Sequence, residues 1–98
     1  MTQSIEIKTD SPGDEAREVL TSALRQYKFI AEYKAKRYVE KCAIFEAKYE
    51  MDSSVFLNKF EGGGIGDEDD FFDWYAAKRG LDIMNRKLEV IKGIKVRA

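Results

Sequence analysis

The sequence predicts an all-α protein: a long N-terminal helix packed antiparallel on a short helix and a long C-terminal helix, with room for short strands at the termini. Three observations carry this reading. From Asp14 to Met51 there is neither glycine nor proline, and apolar residues recur on one helical face. The cluster Gly62-Gly63-Gly64-Ile65-Gly66 then breaks the chain. Beyond it Trp74, Ala77, Leu81, Met84, Leu88 and Ile91 follow one another at steps of 3, 4, 3, 4 and 3, a heptad stripe that suits one face of a helical hairpin.

Residues 1–13 read as an arm. Ser4-Ile5-Glu6-Ile7-Lys8-Thr9 alternates with the period of a strand, and Asp10-Ser11-Pro12-Gly13 is a turn. The long helix spans 14–51, with Leu20, Leu24, Tyr27, Ala31, Tyr38, Cys42, Phe45 and Tyr49 on one line and Lys34 where another apolar residue is due. Ile30, Tyr33 and Ile44 lie off that line, so the apolar surface is wider than one hairpin seam requires. At about 1.5 Å per residue this helix runs roughly 55 Å. A compact chain of this size, with a radius of gyration of about 13 Å, measures only about 30–35 Å across. The helix must therefore bend, form an extended hairpin or pack on another chain.

Asp52-Ser53-Ser54 can stop the long helix and cap a short one over 52–61, which carries Val55, Phe56, Leu57 and Phe60. The loop at 62–66 uses the conformational freedom of glycine. The third helix covers 67–92, and Gly80 inside its stripe costs about 1 kcal/mol relative to alanine, which close backbone approach would justify. The tail, 93–98, alternates again and could pair with the Ile5/Ile7 segment.

Ninety-eight residues make one domain, small enough that a second copy would help bury its surface. The charged fraction is 36% and the net charge is −1, which points to solvated helical faces. The single cysteine, Cys42, has no intramolecular partner and suits a buried helix position in a reducing compartment. With no signal-peptide pattern and no apolar run of membrane-spanning length, the expectation is a cytoplasmic protein.

No histidine is present. The commonest general base and the usual zinc ligand are therefore missing, and the sequence indicates no enzyme, no cofactor and no metal. The run Asp67-Glu68-Asp69-Asp70-Phe71-Phe72-Asp73 lacks the alternating ligands of a calcium loop. Its carboxylates suit the positive end of a helix dipole. The glycine cluster lacks the lysine and hydroxyl residue of a phosphate loop. Lys78, Arg79, Arg86, Lys87, Lys92, Lys95 and Arg97 outnumber Asp82 and Glu89, which leaves a nucleic-acid-binding regulator with an N-terminal ribbon as the alternative function.

Phe71, Phe72, Trp74 and Tyr75 place four rings within five positions, and they cannot all face one side of a helix. Two readings stay open for them. Trp74 can close the glycine-loop end of the hairpin over Phe56, Phe60 or Tyr49. Alternatively, Asp67, Asp69, Asp70, Phe72, Asp73, Trp74 and Tyr75 form an acidic, aromatic docking surface for a basic protein partner.

The segment Tyr49-Glu50-Met51-Asp52-Ser53-Ser54-Val55-Phe56, followed by Lys59-Phe60-Glu61-Gly62 and Gly66-Asp67-Glu68-Asp69-Asp70-Phe71-Phe72-Asp73-Trp74, resembles a group of small, mostly uncharacterised prokaryotic helical proteins. In these a Tyr-x-Met helix break precedes a Phe…Glu-x-Gly turn and a Gly-Asp…Trp helix start, and some look like the antitoxin side of small toxin pairs. The resemblance covers residues 49–74, a quarter of the chain. It departs from the pattern in its extra glycines, in Asp52 and Asp73, and in its long N-terminal part. It implies a compact helical turn and protein binding. Together these readings predict a non-enzymatic interaction module, antitoxin-like and self-associating as a homodimer.

Overall fold

In the computed structural model, which describes residues 2–97, three helices follow one another: α1 (Gly13–Tyr49), α2 (Ser53–Glu61) and α3 (Asp69–Lys92). The contacts between α1 and α3 fix an antiparallel hairpin. Tyr49 meets Phe71 and Trp74, Tyr38 lies on Gly80, Lys87 sits over the Tyr27 ring, and Leu24 shares a shallow notch with Ile91. The chain measures 56 × 26 × 19 Å, so the long helix is accommodated by extension. The short α2 packs on α3. No helix among the described residues is long and apolar enough to cross a membrane.

Each boundary has a local cause. Pro12 precedes the first turn of α1 and its carbonyl accepts from the Ala16 amide at 3.1 Å, so the helix begins one residue earlier than the sequence predicts. It ends two residues earlier, because Glu50 adopts a left-handed conformation (φ 50°) and both its amide and that of Met51 turn back to the Glu46 carbonyl. Asp52 then caps α2 by accepting from the Ser54 amide at 2.8 Å. Helix α3 begins at Asp69 instead of residue 67, since the Phe71 and Phe72 amides both close on the Glu68 carbonyl.

The inner stripe of α1 runs through Ala31, Ala35, Cys42 and Phe45, all buried. Ala35 takes the place that strict spacing assigned to Lys34, which remains exposed. The structure also corrects the terminal strands. No strand occurs among the described residues, and Ile5 is 90% exposed. Two short segments pairing alone lack the hydrophobic face that an isolated ribbon needs for stability.

Gly80 has a steric explanation. A Cβ built there would lie 2.6 Å from a carbon of the Tyr38 ring, well inside contact distance. Gly80→Ala should therefore lose the helix-propensity gain of about 1 kcal/mol and instead destabilise by about 1 kcal/mol through overpacking. In a Tyr38→Ala background the same change should stabilise. Thermal or denaturant unfolding of the four proteins in this cycle measures the reversal of sign.

Candidate functional site

The end of the hairpin closed by α2 is built around Trp74, which is fully buried, as is Phe56. Their rings stack with centroids 3.9 Å apart and planes 4° from parallel. Phe45 and Tyr49 flank the indole, each with its centroid 5.8 Å away. One ring thus joins side chains from all three helices. Aromatic pairs of this kind contribute about 0.5–1.5 kcal/mol beyond their buried area.

The polar edge of the indole is satisfied as well. Nε1 donates to Ser53 Oγ at 2.8 Å, and both groups are buried. Ser53 in turn donates its backbone amide to Glu46 Oε2 at 2.9 Å. The first residue of α2 is therefore tied to α1 by its main chain and to α3 by its side chain. Burial pushes the neighbouring Cys42 thiol above its ordinary pKa, against a lowering contribution from Ser53. It is a neutral, unreactive group in the core.

The acidic, aromatic segment divides into inward and outward parts. Trp74 and Phe71 enter the core, Tyr75 is half-buried against Phe60, and Phe72 is 54% exposed with its ring edge-on to Phe60. Asp70 turns towards α1, where its carboxylate receives Lys48 Nζ and, at 2.7 Å, the Tyr49 hydroxyl. Asp67, Asp69 and Asp73 are exposed and make no salt bridge among the described residues. Asp69, Phe72, Asp73 and Ala76 fall at i, i+3, i+4 and i+7 and share the outward face of α3. Of the residues singled out in the sequence, Asp69, Phe72 and Asp73 thus form an open surface on α3, Asp67 is exposed in the segment that leads into it, Tyr75 borders it, and Asp70 and Trp74 hold it in place.

Sequence reasoning missed Lys48, Glu46 and Ser53. Lys48 and Glu46 carry no signal beyond ordinary helix charges, and Ser53 stands in the sequence only as part of a cap. No group of three or more His, Cys, Asp or Glu side chains among the described residues is arranged to hold a metal ion. No protein family, curated protein or solved structure matches the chain.

Two predictions follow from this geometry. Trp74→Ala should cost about 3–5 kcal/mol, as for other buried tryptophans. Ser53→Ala, which strands the indole N–H in the core, should cost about 1–3 kcal/mol, and urea unfolding measures both.

The Lys48 and Tyr49 hydrogen bonds hold the Asp70 carboxyl below its usual range, while the hydrogen bond to Asp70 raises the pKa values of Lys48 and Tyr49. The lowered carboxyl contributes stability that is present above its unfolded value of about 4 and is lost as pH falls through the folded value. The raised groups contribute stability that is present below their unfolded values, near pH 10, and is lost as pH rises through their folded values. The difference in melting temperature between the parent and Asp70→Asn should be greatest near neutrality and shrink at both extremes.

Proposed function

We propose that this chain is a non-enzymatic, cytoplasmic protein-binding module, antitoxin-like in occupying a partner rather than transforming it. It docks on a basic protein through the outward face at the start of α3, and it self-associates as a homodimer. The observation that carries this reading is the exposed Phe72 ring on one helix face with Asp69 and Asp73, preceded by the exposed Asp67, whose carboxylates have no salt-bridge partner of their own among the described residues. An apolar anchor ringed by like charges gives a complementary surface both contact area and electrostatic steering. Asp70 and Trp74 act on this face by positioning it. The Tyr75 hydroxyl, turned to Glu61 at 3.5 Å, borders it.

The gene's surroundings provide the test. A small basic protein encoded beside this gene should co-purify with the tagged chain. Asp69→Lys/Asp73→Lys should weaken that binding at least tenfold, about 1.4 kcal/mol, with the folded core intact and stability lowered only by the lost interaction of Asp69 with the positive end of α3, about 0.3–1 kcal/mol. Equal binding by the charge-reversed protein, or no binding by the parent, would overturn the docking face.

A further inference from the structure

Helix α1 carries a second stripe, on the side away from α3. Val19, Ala23, Gln26, Ile30, Tyr33, Arg37, Glu40 and Ile44 follow one another at alternating steps of 4 and 3, the spacing of a coiled-coil seam. All eight residues are exposed. Within the stripe Val19, Ile30, Tyr33 and Ile44 are 52–68% exposed, and Phe29 beside it is 72% exposed. The inner stripe, through Ala31, Ala35, Cys42 and Phe45, is spent on the hairpin. The outer one has no partner among the described residues.

We propose that a second copy of this chain covers the outer stripe, with the two α1 helices antiparallel about a twofold axis that passes between Ala31 and Glu32. The charges along the stripe select this polarity. A parallel, in-register pair would set Arg37 against Arg37 and Glu40 against Glu40, and like charges placed face to face oppose association. The antiparallel pair sets Arg37 opposite Gln26 and Glu40 opposite Ala23. It also sets Ile30 opposite Tyr33 and Val19 opposite Ile44. Val19, Ile30, Tyr33 and Ile44, the large apolar residues of the stripe, then all meet apolar residues, and no layer holds two like charges.

The area is sufficient. Given that a large aromatic side chain buries roughly 150–250 Å², the five exposed apolar side chains leave roughly 100 Å² each open. The two copies together would bury on the order of 1,000 Å² from these alone, the lower bound for a specific interface. Rim contacts from Lys34, Lys36 and Lys41 would add to it, with their stems lying along the apolar seam.

This inference rests on the self-association in the proposed function and specifies its site and polarity. The test is covalent trapping. Residues 19 and 44 of one chain lie about 38 Å apart along α1, so Val19→Cys/Ile44→Cys cannot close an intramolecular bond. In the antiparallel pair it should form a covalent dimer of twice the 11.3 kDa chain mass on mild oxidation. Each variant with only one introduced cysteine, which also retains the buried Cys42, should remain uncrosslinked. Light scattering at micromolar concentration should find the parent dimeric and Ile30→Glu/Ile44→Glu monomeric, with an unchanged near-ultraviolet signal from the Trp74 core. The milder Ile30→Gln should shift the equilibrium in the same direction.

A monomeric parent overturns the inference. So does a dimer trapped by Val19→Cys alone, which reports a parallel pair, or a dimer that survives Ile30→Glu/Ile44→Glu. In those last two cases self-association stands and only its assigned geometry fails. Binding through the acidic face of α3 is read separately, by Asp69→Lys/Asp73→Lys.

Discussion

The indole of Trp74 is the constraint on which the rest of the molecule depends. Without it, α2 loses the partner of both its buried residues and keeps only the looser ring contacts of Phe56 with Phe71 and of Phe60 with Phe72 and Tyr75. It is nine residues long, too short to be stable alone in water, and its buried groups are Ser53 and Phe56. Both are directed at Trp74, one through a hydrogen bond and the other through a ring stack. The same ring touches Phe45 and Tyr49 on α1. The turn from α1 into α2 is held from the other side by Glu46, which receives the amides of Glu50 and Met51 on its carbonyl and that of Ser53 on its carboxylate. A left-handed residue at a helix end, here Glu50, is thereby fixed by several bonds at once.

This closed end also arranges the surface charge. Because Phe71 and Trp74 must enter the core, the two positions between them, Phe72 and Asp73, are turned outward by helical geometry, and Asp69 joins them one turn earlier. Asp70 is on the side towards α1 and is engaged by Lys48 and Tyr49. An acidic run that appears uniform in the sequence is therefore two features. One carboxylate, that of Asp70, is structural, and Asp69 and Asp73 form a face with the Phe72 ring between them. Among the described residues the opposite end of the molecule has no equivalent of Trp74. There Leu24, Leu88 and Ile91 are only half-buried, and the hairpin rests on two helices alone.

Much of this was legible in the sequence because it follows from periodicity. The run free of glycine and proline gave the long α1, the heptad stripe gave α3, and Asp52 gave the cap of α2. The departure at Lys34 has a simple cause: a helix turns by 3.6 residues, so a stripe can step to Ala35 and keep its face. Gly80 announced a close approach without revealing that Tyr38 makes it. Spacing could not decide among the four rings at 71–75, since both helix faces remained available until α2 was placed. The Trp74–Ser53 and Asp70–Lys48 bonds join residues more than twenty positions apart, and no local pattern marks such pairs. The terminal alternation around Ile5 and Ile94 suggested strands but supplied no third strand or covering helix to stabilise them.

The central claim is that one cooperative core, centred on Trp74, holds all three helices together at one end of an extended hairpin. Native-state hydrogen exchange followed by NMR tests it most directly. The Trp74 indole N–H and the amides of residues 42–48, 56–60 and 74–78 should exchange together, through global unfolding only, while those near 88–92 exchange sooner through local opening. Rapid exchange of the indole N–H, or an α2 that opens independently while α1 and α3 remain protected, would contradict this account.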